Sequence, residues 1–554
     1  MNENLRIIPL GGVEEVGINC TVYEYKDEIL VVDVGLGFSE FDYYGIDYII
    51  PDISYLKKKK ENIKAILITH GHLDHIGAIH YHLEDMGFPD LYGTRFTLEL
   101  IKLKLEEAGL LARMESKLHV IDENSKLKFT NFEVEFFRVN HSIPQAVGIY
   151  IKTPTAKAVH TGDFKFDNSP INEPVADYGK IARIGDEGVD ILLSDSTNSL
   201  RKGHPVSESE VAKGLEDVIE RAKGRVIVAS FAGLVGRLYQ LIMIAEKHNR
   251  KVAVAGFSMR KTLEIAEKIE YIKMPKDLIV NIASVNNIPP NKLLILTTGA
   301  QGEEEAALSK MAYSDYKGVV IKKGDTVILS AKTIAGNDRT VQNMVDQIMS
   351  KGATVRQTED LDLYTSGHGY QEDQKIMLNL VRPKFFMPVH GYQYFLRAQG
   401  DTARSTGVAE NNVIISKKGS VIEGNVAQGF TIVKQFPCEP LLVSGSGVGD
   451  VGTVVLKERE QLASYGVVVI DIIVNKDKEL VRDPFVISRG FVYVKNSQEL
   501  IKQIVDKTKE IYNAMKASYK EVADVREVIT ADVSDLVFQE TQREPMIITM
   551  ISFV

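Results

Sequence analysis

The stretch ITHGHLDHIG, residues 68–77, places His70, His72, Asp74 and His75 within six residues, directly behind the aliphatic run Ala65 to Thr69. Metals need unprotonated nitrogen or oxygen donors converging at about 2 Å, and imidazole with carboxylate suits Zn²⁺ or Mn²⁺. Four such groups in one turn are unfavourable without a cation, because neighbouring imidazoles would lose water and gain no partner. The bland alternative, a polar loop that happens to be His-rich, does not account for the order H-x-H-x-D-H. One tetrahedral or five-coordinate ion cannot use all four together with the donors that follow, so the donor count predicts two divalent cations, zinc or else manganese.

Those further donors lie along the chain at strand ends or turns. NHSIP offers His141, TGDFK offers Asp163 and PVHG offers His390. Each alone reads as a cap or a turn residue. Following the cluster in this order, they join it. Ile29 to Asp33, Ala65 to Thr69, Lys157 to Asp163 and Val189 to Asp195 read as buried strands, each delivering a polar group at its carboxyl end. That is how layered α/β folds build an active-site rim.

The bulk numbers fit a large soluble enzyme. The 554 residues suggest about three domains. The two cysteines, Cys20 and Cys438, are too few and too far apart for a zinc cluster or disulfide framework. No apolar run approaches the ~20 residues that span a bilayer, and the start of the chain has no signal-peptide pattern, so the expectation is a cytoplasmic protein with no membrane partner. The net charge of −9 gives no overall nucleic-acid signature, and a basic groove would have to be local. Lys57 to Lys60, the densest basic run, reads as a solvated turn before a strand.

From Ser207, a plausible cap with Glu210 three residues on, strand–helix units follow at Arg225 to Ser230, Lys251 to Ala255, Leu293 to Thr297 and Thr326 to Ser330. They predict a parallel α/β domain inserted into the first. SGSGVGDVG, residues 444–452, reads as a boundary. As a dinucleotide fingerprint it is weak, since a strand, Thr453 to Leu456, is expected after it. Beyond lie expected strands at Val467 to Val474 and Phe491 to Val494, a helix from Gln498 to about Ser518, and a last apolar strand. The expected division is 1–206 and 367–427 for the first domain, 207–366 for the insertion, 428–452 for a linker and 453–554 for a small C-terminal α/β domain.

These motifs resemble the metallo-β-lactamase superfamily and, within it, the β-CASP nucleases. Asp33 in VVDVG, the His70–His75 cluster, His141 and Asp163 match the superfamily's first four motifs. Asp195 in LSDSTN, His368 in SGHG and His390 in PVHG match the β-CASP ones. TGAQGE (298–303), GVGDVG (447–452) and REPMI (543–547) narrow the resemblance to the ribonuclease J family over essentially the whole chain. It implies an αββα sandwich with an inserted β-CASP domain. It implies one metal on His70, His72 and His141, another on Asp74, His75 and His390, and Asp163 between them. Asp33 would orient ligands, and His368 would supply a proton with Asp195 holding it. Tyr364, Thr365, Ser366, Gly367 and His368, with Gly233, Leu234 and Val235, would contact substrate phosphates. Six of the twelve histidines find roles in this way. His80 and His82 read as surface or packing residues.

The implied activity is hydrolysis of RNA phosphodiesters, 5′-to-3′ from a 5′-monophosphate end and also endonucleolytic, in RNA processing and decay. The implied partners are single-stranded RNA, a second copy in a homodimer or homotetramer, and an RNA-decay complex. The chain departs from the family pattern at Tyr364, where a histidine is usual, at Tyr392, where glutamate is usual, and in FAGLVGR (231–237), which lacks the usual Ser-Asn. Three other readings remain. A thioester or lactam hydrolase would use the same cluster, but such chains are short and lack SGHG and PVHG. A DNA-processing β-CASP nuclease is separated by comparing single-stranded RNA with DNA. A scaffold with structural metals would have closed, mononuclear sites.

Overall fold

The aliphatic runs become strands, and in the computed structural model their carboxyl ends meet. The structure describes residues 3–38, 45–334, 336–357, 362–445, 447–491, 498–518 and 521–554. The chain forms two compact units, Met1–Gly37 with Ile50–Pro440, and Phe38–Ile49 with Leu441–Val554.

In the first unit an eight-stranded sheet runs in the order Gly429–Gln435, Ser420–Asn425, Leu5–Gly11, Cys20–Tyr25, Glu28–Val32, Ile63–Leu67, Asp90–Thr94, Leu118–Ile121. A six-stranded sheet runs Phe385–Val389, Ile191–Asp195, Lys157–His160, Val147–Lys152, Glu133–Arg138, Lys126–Lys128. One apolar core holds Leu30, Val32 and Leu67 of the first sheet with Phe136, Ile149 and Leu193 of the second, so the sheets pack face to face. Glu28–Val32 and Ile63–Leu67 are parallel neighbours. So are Lys157–His160, Ile191–Asp195 and Phe385–Val389. Parallel pairing sends their carboxyl ends the same way, and Asp33, His70, Asp163, Asp195 and His390 all stand there.

The insertion is a third sheet, fully parallel, in the order Ile279–Val280, Lys251–Ala255, Leu293–Thr297, Val226–Ala229, Thr326–Leu329, Thr354–Arg356. Ser207 caps its first helix, Glu208–Arg221, by accepting from the Ser209 amide. Lys57–Lys60 does precede a strand, at the end of a short helix. The stretch 428–452, expected as a linker, instead carries the strand Gly429–Gln435 in the large sheet and the hairpin Leu441–Ser444 with Gly447–Val448. Its glycines serve turns inside the fold.

In the second unit Val467–Val474 pairs antiparallel with Phe485–Arg489 and parallel with Met546–Phe553. Alternate residues Val468, Ile470, Ile472 and Val474 are fully buried under the helices Gln498–Met515 and Val522–Thr541. The strand expected at Thr453 to Leu456 is the start of a helix, Thr453–Tyr465. Three aliphatic residues are too short a run to outweigh the strong helix formers Lys457 to Ala463 behind them. The glycines before it follow an antiparallel hairpin, so the βαβ setting of a dinucleotide site is still absent. Of the strand expected at Phe491 to Val494, Phe491 lies outside any strand, and 492–494 fall outside the described residues. No helix among the described residues is long and apolar enough to cross a membrane.

A buried carboxyl sits where the first domain meets the insertion. Glu173 Oε1 accepts from the Tyr271 hydroxyl at 2.8 Å and from the Gln145 amide at 3.1 Å. Burial pushes its pKa from 4.5 up to about 7 despite those bonds and nearby Lys165, with Glu208 adding to the rise. A raised carboxyl pKa favours folding fully below about pH 4.5, and that contribution is lost as pH rises through about 7. The melting temperature of Glu173→Gln should therefore fall less between pH 5 and pH 8 than that of the unaltered chain, as read by scanning calorimetry. Equal falls would contradict this.

Candidate metal centre

The cluster is built from the carboxylate of Asp33 outward. Asp33 follows the strand Glu28–Val32 with φ +61, a left-handed conformation that costs energy for a residue with a Cβ. It is 1% exposed. Its Oδ1 accepts from the Thr69 amide and its Oδ2 from the Thr69 hydroxyl, both at 2.8 Å, and Oδ2 also lies 2.7 Å from His75 Nδ1. With its own proton given to Asp33, the Thr69 hydroxyl can only accept from His70 Nδ1, 3.0 Å away. One carboxylate thus fixes protons on the Nδ1 atoms of His70 and His75, and turns both Nε2 atoms inward.

His141 is set in the same way from the other side. Its Nδ1 donates to the Gly367 carbonyl at 2.7 Å. Gly367 must be glycine here, since a Cβ would lie 2.7 Å from His141 Cε1 and 2.5 Å from Ser142 Oγ. The bare Nε2 of His141 is then 3.0 Å from His72 Nδ1, and the bare Nε2 of His70 is 3.2 Å from the same atom. One proton on His72 can satisfy one of these lone pairs and not both. Ligands of a tetrahedral ion at about 2.0–2.1 Å stand about 3.3 Å apart. Burial depresses the pKa of all three imidazoles, His72 to about 4, so all three are neutral, as ligands must be.

The second group is Asp74, His75, Asp163 and His390, whose donor atoms lie within 4.8 Å of one another. His390 also takes a left-handed φ, +53, and its amide is tied to the Gly12 carbonyl. Its Nδ1 meets Asp163 Oδ1 at 2.8 Å. Its Nε2 is buried with no hydrogen-bond partner, the nearest group being Asp74 Oδ2 at 3.4 Å. A buried imidazole nitrogen aimed at a carboxylate from that distance fits a cation site. Burial would depress His75 and His390, but the Asp163 carboxylate, with Asp74, overcomes it and raises both, His390 to about 10. Asp163 Oδ2 lies 3.2 Å from His75 Nε2 on one side and 3.7 Å from both His70 Nε2 and His141 Nε2 on the other. It stands between the two groups, where a bridging carboxylate would stand.

His368 borders both groups, its ring centroid 5.0 Å from that of His141 and 5.6 Å from that of His390. Its Nδ1 is 2.7 Å from Asp195 Oδ2, and its side chain keeps 22% exposure. Burial lowers its pKa, but Asp195 and then Asp163 more than reverse this, so it lies above the ordinary histidine value. Asp195 is itself held: Oδ1 accepts from the amide and hydroxyl of Thr197.

The expected phosphate-contacting residues divide. Gly233 lies against His72, where a Cβ would come within 3.2 Å of Nε2. Ser366 Oγ accepts from Asn198 Nδ2 and the His368 amide. Tyr364 has the Arg237 guanidinium 5.3 Å over its ring. Leu234 and Thr365 are buried, and the Thr365 hydroxyl is spent on the Val206 carbonyl. Val235 opens the helix Val235–Lys247, its side chain 0% exposed in the inserted domain's core and its amide bonded to the Gly233 carbonyl. His82 is buried and His80 partly so, both away from the cluster. Sequence reasoning missed Thr69 and Asn198, and also Asn19, whose amide lies 3.0 Å from His75 Nε2. Thr69, adjacent to His70, and Asn198, which ends LSDSTN, carried a signal.

Comparison with known proteins agrees with this architecture. A model described as "Metallo-beta-lactamase superfamily" matches residues 13–205, "Ribonuclease J, beta-CASP domain" matches 223–348, and "Ribonuclease J C-terminal domain" matches 454–554. The chain is 38% identical to "Ribonuclease J2" of Bacillus subtilis over 551 residues, 99% of this chain and 98% of that one. It is 38% identical to "Ribonuclease J 1" of Streptococcus pyogenes over 550 residues, 98% and 97% of the two. It is 37% identical to "Ribonuclease J" of Synechocystis over 560 residues, 99% and 86%. A solved structure from Enterococcus faecalis, titled a protein of unknown function, shares the fold with a TM-score of 0.53 at 16% identity, covering 76% of this chain and all of that one. A metallo-β-lactamase sandwich, an inserted β-CASP domain and a C-terminal domain in one chain, with full-length identity at this level, place it in the ribonuclease J family of metal-dependent ribonucleases.

Proposed function

We propose that the chain hydrolyses RNA both 5′-to-3′ from 5′-monophosphorylated ends and endonucleolytically, in RNA processing and decay. The observation that carries the reading is the convergence of imidazole nitrogens on the two sides of Asp163 Oδ2. His70, His72 and His141 would hold one divalent ion, and Asp74, His75 and His390 the other, with Asp163 shared. Zinc suits this nitrogen-rich set, and manganese suits the carboxylate side. By family resemblance the protein works in the cytoplasm as a homodimer or homotetramer, in an RNA-decay complex.

When bound, a divalent pair supplies a water acidic enough to attack phosphorus near neutral pH and positive charge against the phosphoryl oxygens. The chain's own residues do the remainder. Asp33 and Gly367 fix the tautomers and so aim the lone pairs. Asp195 accepts a hydrogen bond from Nδ1–H of protonated His368, which leaves its Nε2–H to protonate the leaving oxygen. The two carboxylates that raise the His368 pKa keep that proton available.

Asp33→Asn should keep the fold and weaken metal binding about 10- to 100-fold by releasing the tautomers of His70 and His75. Zinc titration by calorimetry reads this, and unchanged affinity would count against the network. His72→Ala and Asp74→Ala should lose RNA cleavage with unchanged circular dichroism. His368→Ala should lower kcat by about 10²–10⁴ while metal content is kept. Turnover by either ligand variant in saturating metal would contradict the ligand assignment. On 5′-labelled RNA, release of mononucleotides from monophosphate ends and not triphosphate ends is expected. Equal release from both would remove the end preference.

A further inference from the structure

The helix Gln393–Ser405 starts three residues after His390, and its first turn carries an aromatic cluster. The rings of Tyr392 and Tyr394 are parallel to within 3°, with centroids 5.7 Å apart. Phe395 tilts against both, at 5.7 Å and 4.3 Å. The helix turns Leu396 and Gln399 into the core, each 0% exposed, while Tyr394 faces outward and keeps 54% exposure. Packing explains Leu396 and Phe395. It does not explain an outward tyrosine already stacked on a second one.

The cluster sits on the rim of the metal centre. The His390 amide bonds the Gly12 carbonyl, Gly391 bridges Val13 and Glu15, and Gln393 Nε2 reaches Glu14 Oε1. The same loop continues to Asn19, whose amide and side chain bond the Asp74 carbonyl. Asp74 is a partly exposed member of the cluster, at 32%. From Tyr392 to Leu396 there is no charged residue, and the exposed Arg397 follows directly. What this rim offers is a flat π face. Unpaired RNA bases stack on exposed aromatic rings irrespective of sequence.

We propose that Tyr394, backed by Tyr392, is a stacking platform for one nucleobase of the RNA substrate close to the bond being cut. The proposal rests on RNA being the substrate and deepens that reading. It gives the tyrosine at 392, where the family pattern has glutamate, a part in substrate binding.

The test uses the full-length, metal-loaded protein and short single-stranded RNAs, each with one abasic residue moved stepwise across the cleavage position. On intact RNA, Tyr394→Ala should raise KM about 5- to 100-fold with kcat within twofold, and Tyr394→Phe should behave as the unaltered protein. For the unaltered protein, one abasic position should reproduce that loss. At that position Tyr394→Ala should add nothing further. An unchanged KM for Tyr394→Ala, or losses that multiply at every abasic position, would overturn the platform. Failure of the unaltered protein to cut any RNA would instead overturn the ribonuclease reading and the platform with it.

Discussion

The active region depends on three imidazoles brought nitrogen to nitrogen around one point. His70 and His141 each give a proton outward, to Thr69 and to the Gly367 carbonyl, and each presents a bare nitrogen within 3.2 Å of His72 Nδ1. A cation between these nitrogens would engage all three lone pairs at once. The same logic extends across Asp163 to His390, whose Nε2 is buried and unmatched. The surrounding fold makes this arrangement rigid. Asp33 and His390 both sit in left-handed backbone conformations, held by the Thr69 bonds and by the Gly12 carbonyl respectively.

The sandwich and the insertion serve this arrangement differently. Parallel strands of the two facing sheets deliver Asp33, His70, Asp163, Asp195 and His390 at one edge. The chain then leaves the sandwich after Asp195 and returns at the SGHG turn, bringing Gly367 to His141 and His368 to Asp195. The His141 tautomer therefore depends on the turn at the far end of the insertion, 226 residues on. The inserted domain's return is thereby linked to the state of a metal-site imidazole.

The seven residues that converge were legible because their types and order have few other uses. Asp33 was legible as support because it ends a strand. The bonds through Thr69 and Asn19 were not, since a threonine or asparagine beside a motif has many uses and only geometry chooses one. The helix Val522–Thr541 went unread because valine, isoleucine and threonine crowd it. Val525, Ile529, Val533 and Val537, four apart and all fully buried, carried the helical period nonetheless. At Thr453 the same bias toward β-branched residues produced a strand where helix propensity prevailed.

Anomalous diffraction from crystals soaked in zinc or manganese tests the central claim most directly. The account predicts two peaks per chain, one within about 2.0–2.2 Å of His70 Nε2, His72 Nδ1 and His141 Nε2, the other at similar distance from Asp74, His75 and His390, with Asp163 reaching both. A single peak, or peaks that leave His390 Nε2 uncoordinated, would contradict it.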